Sequence, residues 1–193
     1  SRGLGEVYKR QLQRTEQPTE EGNYRITEGD PLEEGGEVTK FERNLKAIQV
    51  LKKIEEENRP ATPEEQAVLV QYSGWGGLPK AFQQWGDPNW VERAKKLRET
   101  LTEEEYEEAR ASTPNAHYTS PLIIRKIYEA LDKMGFKKGR ILEPSMGIGH
   151  FFGLVPEKWK TRLTGIELDN ISGRIAKQLY QNADIRVEGY EDA

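Results

Sequence analysis

Three short apolar runs, RILE (140–143), RLTGIEL (162–168) and DIRVEG (184–189), are separated by a glycine turn and by the helical stretch DNISGRIAKQLYQNA (169–183). This alternation constrains the fold more than any other feature of the chain. The connections are too long for tight hairpins, and a strand–helix–strand step within one sheet runs parallel and right-handed. The expected fold class is therefore α/β, with a parallel sheet of about three strands in the last 80 residues or so.

Upstream the periodicity is helical. Phe41, Leu45, Ile48, Leu51 and Ile54 recur at spacings of three and four, which marks one face of an amphipathic helix. Thr62, Pro63 and Glu65 spell an N-cap, a first-turn proline and a capping box, and Thr102 with Glu105 repeats the device. The run Glu103–Glu108 reads as a solvated acidic face near a helix N-terminus. Between these helices YSGWGGLPKAF (72–82) breaks the pattern, with Trp75, Leu78 and Phe82 placed to pack on a core. SPLIIRKIYEALDKMG (120–135) is a helix with Ser120 as N-cap, Pro121 at its first position and Gly135 past its end. The chain thus divides into residues 1–38, rich in Glu, Gly and Pro and expected to be disordered or extended, a helical appendage at 39–113, and the α/β part at 114–193. Residues 1–11, SRGLGEVYKRQ, resemble a translated sequencing adaptor and are set aside.

Several function classes drop out on composition. With no cysteine and two histidines, neither a disulfide framework nor a zinc site can be built. No apolar run is long enough to span a bilayer, and a cytoplasmic protein is expected. Net charge is −4, with 17 Lys/Arg against 23 Asp/Glu in residues 1–114 and 12 against 10 in residues 115–193. Neither part has the basic excess on which non-specific DNA binding relies.

The chemistry concentrates in EPSMGIGHF (143–151). Gly147 and Gly149 fall between a strand and a helix start, where ligands of α/β sheets bind and where backbone N–H groups are bare. The second strand ends in Glu167, 20 residues after Gly147, a position from which a carboxylate accepts hydrogen bonds from both ribose hydroxyls of a nucleoside. The dinucleotide fingerprint Gly-x-Gly-x-x-Gly is not met: the third glycine is displaced to Gly153, and Glu143-Pro144 precede the loop. A carboxylate at Glu143 repels a pyrophosphate but suits an ammonium group. Adenosine at one end and an amino acid at the other describes S-adenosylmethionine.

EPSMGIGHF resembles the first motif of N6-adenine DNA methyltransferases, (Asp/Glu)-Pro-x-x-Gly-x-Gly-x-Phe, and NAHYTSPLIIRKIYEAL (115–131) resembles the Tyr-Thr-Pro motif that precedes it in the gamma order. TGIELD (164–169) is similar to the second motif. NRPATPEEQAVLVQYSGWGGLP, ARASTPNAHYTSP and GIGHFFGLVP together resemble the large methylase–helicase proteins of conjugative elements and phages, over roughly residues 22–193. The resemblance implies a helical appendage followed by the first half of a Rossmann-like methyltransferase sheet. It implies that Tyr118 and Thr119 bind the methionine end of the cofactor, and that Glu143, followed by Pro144, Ser145 and Met146, faces its ammonium. Gly147 and Gly149 would give backbone access, Glu167 would hold the ribose, Leu168 would lie on the adenine, and Phe151 would pack beneath the loop. In the third motif Tyr190 replaces the usual aromatic, with the acid at Glu188 or Glu191. His117 and His150 flank these motifs and read as loop hydrogen-bonding residues.

N6-adenine methylation also needs an Asn/Asp-Pro-Pro-aromatic type of motif to hold the flipped base. DPNW (87–90) imitates it but lacks the second proline and reads as a loop. The resemblance then implies a fragment: catalytic half, DNA contacts and helicase would follow residue 193, and strand 140–143 would have a neighbour on one side only. Two other classes share these features. One is an NAD(P)-dependent oxidoreductase fragment, which would use the same strand–helix–strand unit and Glu167. The other is a non-catalytic interaction module with a vestigial pocket.

Overall fold

The computed structural model describes residues 22–32, 35–114 and 118–193. Its first half is helical: α1 (Glu37–Glu56), α2 (Pro63–Leu69), a 3-10 turn (Pro79–Phe82), α3 (Pro88–Thr100) and α4 (Glu103–Ala111). Phe41, Leu45, Ile48, Leu51 and Ile54 are all buried, as their spacing requires, and α1 begins at Glu37, two residues before the boundary read from composition. Both capping boxes form. Thr62 Oγ1 accepts from the Glu65 N–H at 3.3 Å while the Glu65 carboxylate accepts from the Thr62 N–H at 3.0 Å. Thr102 and Glu105 do the same at 3.2 and 2.8 Å.

The stretch between α2 and α3 is a packing plug. Trp75 is 1% exposed, with its ring 5.9 Å from Phe41 and 5.5 Å from Phe82, and Phe82 continues to Tyr106 at 5.3 Å. Two expectations need correction here. DPNW is a helix start rather than a loop: Asp87 caps α3 by accepting from the Asn89 N–H at 2.9 Å, Pro88 takes the first position, and Trp90 is buried on Phe41. The acidic run of α4 is not wholly solvated either. Glu103, Glu104, Glu107 and Glu108 are exposed, but Glu105 turns inward and is 7% exposed. Its carboxylate meets Lys52 of α1 and Arg174 across the molecule, both at 2.6 Å.

The second half comprises α5 (Pro121–Lys133), β1 (Lys138–Glu143), α6 (His150–Gly153), β2 (Lys160–Glu167), α7 (Asn170–Leu179) and β3 (Asp184–Val187). Ser120 occupies the N-cap position of α5, but its side chain makes no capping bond, whereas Asp169 caps α7 by accepting from the Ser172 N–H at 2.7 Å. The three strands form one open parallel sheet in the order β1-β2-β3, with Leu142 opposite Thr164 and Gly165 opposite Ile185. β1 is an edge strand, as expected, and it starts at Lys138, two residues earlier than its apolar run.

The two faces of the sheet differ. Ile141, Leu163 and Ile185 point to the side where α5, α6 and α7 pack, so close that a Cβ on Gly173 of α7 would stand 2.7 Å from the Val187 side chain. On the other side Lys138, Arg140, Leu142, Lys160 and Arg162 are exposed.

Helical and α/β parts share one core: Phe41, Ile48 and Leu51 of α1 belong to the same buried cluster as Ile148, Phe152, Ile175 and Leu179. Residues 23–27 run extended across the α/β part before a turn at 28–30. The Tyr24 N–H donates to Leu179 O at 2.7 Å, the Ile26 N–H donates to Gly153 O at 2.9 Å, and Ile26 is buried at 8% exposure. Among the described residues no helix is long and apolar enough to cross a membrane.

Candidate functional site

β1 ends at Glu143 and β2 at Glu167, so the parallel register brings two carboxylates to one end and one face of the sheet. Glu143 stands opposite Gly165, and Glu167 is two residues further on. The chain leaves β1 through a turn at Pro144 and Ser145, both exposed, and the Met146 N–H donates to Ile166 O at 3.1 Å. Gly147 and Gly149 follow with φ of 56° and 90°, and His150 opens α6. Only glycine adopts this left-handed pair without strain.

The glycines have a second reason to lack a side chain. A Cβ on Gly147 would lie 2.7 Å from the Tyr118 ring, and one on Gly149 would lie 2.5 Å from the Tyr180 ring. On the Cβ side, the space left bare is therefore filled by protein rings. The Gly147 N–H turns to Glu167, donating to Oε2 at 2.6 Å, and the Asp169 N–H donates to Oε1 of the same carboxylate at 2.8 Å. Glu167 thus braces the glycine loop, and each of its oxygens keeps a further lone pair.

A cavity of about 230 Å³ opens beside this brace, lined by Tyr118, Thr119, Ile124, Glu143, Ser145, Met146, Gly147, His150, Phe151 and Glu167. Among the described residues its lining has two carboxylates and no lysine or arginine. Burial pushes the Glu143 carboxyl above its ordinary pKa, and no described residue hydrogen-bonds or ion-pairs with it. Burial raises Glu167 as well, against the opposing pull of the Asp169 and Gly147 N–H groups. The Tyr118 phenol is pushed up by burial, with Ser172 Oγ 3.4 Å from its hydroxyl pulling it partly back.

Of the residues singled out by sequence, Tyr118, Thr119, Glu143, Ser145, Met146, Gly147 and Glu167 come together around this cavity. Gly149 and Pro144 belong to the same loop but do not line it. Leu168, 75% exposed, and Tyr190, 59% exposed in a 3-10 turn (Tyr190–Asp192), also lie outside the lining. Phe151 packs edge-on against Tyr128, and its carbonyl accepts from the Tyr128 hydroxyl at 2.7 Å. The His150 ring lies 5.4 Å from that of Tyr118, tilted by 41°, and lines the cavity, while His117 lies outside the described residues. Ile124 is the lining residue that sequence reasoning missed. Its helix was legible in the sequence, but not what Ile124 packs against.

A volume of about 230 Å³ is below the roughly 300–1,000 Å³ of pockets that enclose a whole small-molecule ligand. The site would grip part of such a ligand and leave the rest over the open rim. Carboxylates, a hydroxyl and ring faces suit a cation that also carries hydroxyl donors.

These features define an open α/β protein with an acidic pocket at the carboxyl ends of its first two strands. No protein-family model, curated protein or solved structure matches the chain significantly.

Proposed function

We propose that this pocket binds S-adenosylmethionine and that the chain is the cofactor-binding part of a DNA adenine-N6 methyltransferase with a Rossmann-like sheet. The observation that carries the reading is the pair Glu143 and Glu167, at the ends of adjacent strands in a cavity lined, among the described residues, by no lysine or arginine. A pyrophosphate would meet uncompensated like charge there, whereas an ammonium and a sulfonium would neutralise it. Glu143 takes the ammonium, Tyr118 and Thr119 contact the methionine end, and Glu167 uses its remaining lone pairs for the ribose while holding Gly147. Leu168 and Tyr190, both exposed and outside the cavity lining, would lie against the adenine. Bound there, the cofactor would supply an electrophilic methyl group. No residue of this chain is assigned to its transfer, which needs a base-holding motif of the Asn/Asp-Pro-x-aromatic type.

Isothermal titration with S-adenosylmethionine and, separately, NAD tests the reading. S-adenosylmethionine should bind and NAD should not. Glu143→Gln and Glu167→Ala should each weaken binding by about 1.5–3 kcal/mol, the scale of hydrogen bonds to a charged group. NAD binding instead would move the chain to the oxidoreductase class.

One observation favours a non-catalytic turn. Glu167 and both glycines already have partners within the protein. On that reading neither cofactor binds, and Glu167→Ala lowers the melting temperature by the same amount with or without S-adenosylmethionine.

A further inference from the structure

The open face of the sheet carries a cationic array. Parallel register sets Lys138 beside Lys160 and Arg140 beside Arg162, on adjacent strands and on one face. Neighbouring strands lie about 4.8 Å apart and alternate residues about 6.6 Å apart along a strand, so four cations occupy a compact rectangle. All four are exposed. Arg186 of β3 extends the array next to Asp184, 3.5 Å away.

Three features set this face apart from an ordinary solvated surface. Parallel sheets are normally covered on both sides and read as apolar throughout, yet alternate positions of β1 and β2 are basic here. Like charges directly opposite one another also destabilise a sheet, and this sheet has two such pairs in succession. Finally, Lys138, Arg140 and Lys160 make no ion pair with any described residue, whereas Lys137 and Lys158 nearby are both held by Asp132. The face is poor in available apolar surface: Leu142 is 52% exposed, but Ile166 is buried at 4%. An apolar helix would find little to pack on and would strand the charges beneath it.

We propose that this face binds the phosphate backbone of a nucleic acid, by charge and without reading bases. A flat row of lysines and arginines, with no exposed aromatic among Lys138, Arg140, Leu142, Lys160 and Arg162 on which a base could stack, matches a phosphodiester chain better than it matches unpaired bases. The overall charge of −4 does not oppose this locally, because exposed acids such as Glu103, Glu104 and Glu107 sit on α4 of the helical half. The inference does not depend on the cofactor proposal: the array and the acidic pocket occupy opposite faces of the sheet.

Fluorescence anisotropy of a labelled mixed-sequence DNA, as single strand and as duplex, titrated with the full chain, tests the inference. Three phosphate contacts, from Lys138, Arg140 and Lys160, predict a slope of log K against log salt of about −2.7 for duplex and about −2.1 for single strand. Duplex affinity should then fall by about 40-fold between about 50 and about 200 mM salt. Lys138→Gln, Arg140→Gln and Lys160→Gln should each reduce the slope by about one, and the triple variant should lose most of the binding. The triple variant should melt no lower than the parent, since it relieves like-charge pairs. Lys46→Gln with Lys96→Gln, on exposed lysines of α1 and α3, should change nothing. Absence of binding at low salt, or binding that survives in a folded triple variant, would overturn the proposal. Tighter binding to labelled polyglutamate than to DNA would also overturn it, assigning the face to an acidic protein instead.

Discussion

Glu105→Gln isolates the charge that joins the helical half to the α/β half. The Glu105 carboxylate sits between Lys52 of α1 and Arg174 of α7, which also grips Glu55 through two nitrogens. Burial by itself would raise its pKa. The bonds to Arg174, Lys52 and the Thr102 N–H outweigh burial and bring it from 4.5 to about 2. At about 1.36 kcal/mol per tenfold, that corresponds to a ceiling of about 3.4 kcal/mol favouring the charged folded form. Lys52 and Arg174 are 30% and 24% exposed, so solvent screening reduces the expected loss to about 2–3 kcal/mol. Glutamine at this position still completes a capping box, so the helix start is spared and the charge is the quantity removed. Urea denaturation at neutral pH should show that loss. Because the folded pKa is depressed, the stabilisation is complete above about pH 4.5 and disappears as pH falls toward about 2. The difference between parent and variant should therefore shrink steadily through that window. A difference below about 0.5 kcal/mol at neutral pH, the level of an ordinary surface substitution, would refute the account. A difference that persists unchanged at the acid end of the window would refute it too.

Gly149→Ala should destabilise the fold by about 3 kcal/mol, from left-handed strain of about 1–3 kcal/mol plus a Cβ placed 2.5 Å from the Tyr180 ring; a thermal melt equal to the parent's would show that the loop relaxes freely. Ile26→Ala should cost about 2 kcal/mol, at the low end for a buried isoleucine because its segment lies on the surface. Hydrogen exchange should then lose protection at the Tyr24 and Ile26 amides first, and uniform loss across α1 would mean that residues 22–32 are not a separate unit. Burial raises both pocket carboxyls, so they regain protons at a higher pH than ordinary carboxylates. Titration calorimetry should therefore find S-adenosylmethionine affinity falling on acidification, and beginning to fall at a higher pH than ordinary carboxylates would dictate; a flat profile would separate those carboxyls from the ligand.

Local signals survived folding where a short stretch carried its own physics. Thr62 with Glu65 and Thr102 with Glu105 cap helices because both partners lie within one turn. The apolar spacing of α1 buries the residues it marks. DPNW marks a limit: its helix-starting chemistry, an Asp N-cap before a first-turn proline, is as local as that of Thr62, yet its likeness to a catalytic motif pointed to a loop. Glu105 shows another, since no pattern within α4 separates the one inward glutamate from its exposed neighbours. Its partners are 53 and 69 residues away in the chain.

The candidate site divides in the same way. Alternating apolar runs dictated parallel strands, and parallel strands necessarily end together, so Glu143 and Glu167 were bound to be neighbours once the register was set. That much follows from the sequence, because strand period and crossover handedness are properties of the backbone. The tertiary structure alone decided that Tyr118 and Tyr180 fill the space beside the two glycines, and that Glu167 spends one bond on each of two backbone N–H groups. It also decided that Ile26 and its strap lie across Gly153. A nearly balanced composition gave no hint of a basic face. Lys138, Arg140, Lys160 and Arg162 form one because the pairing of β1 with β2 sets two separate stretches of chain side by side, and charge adds in space rather than along the sequence.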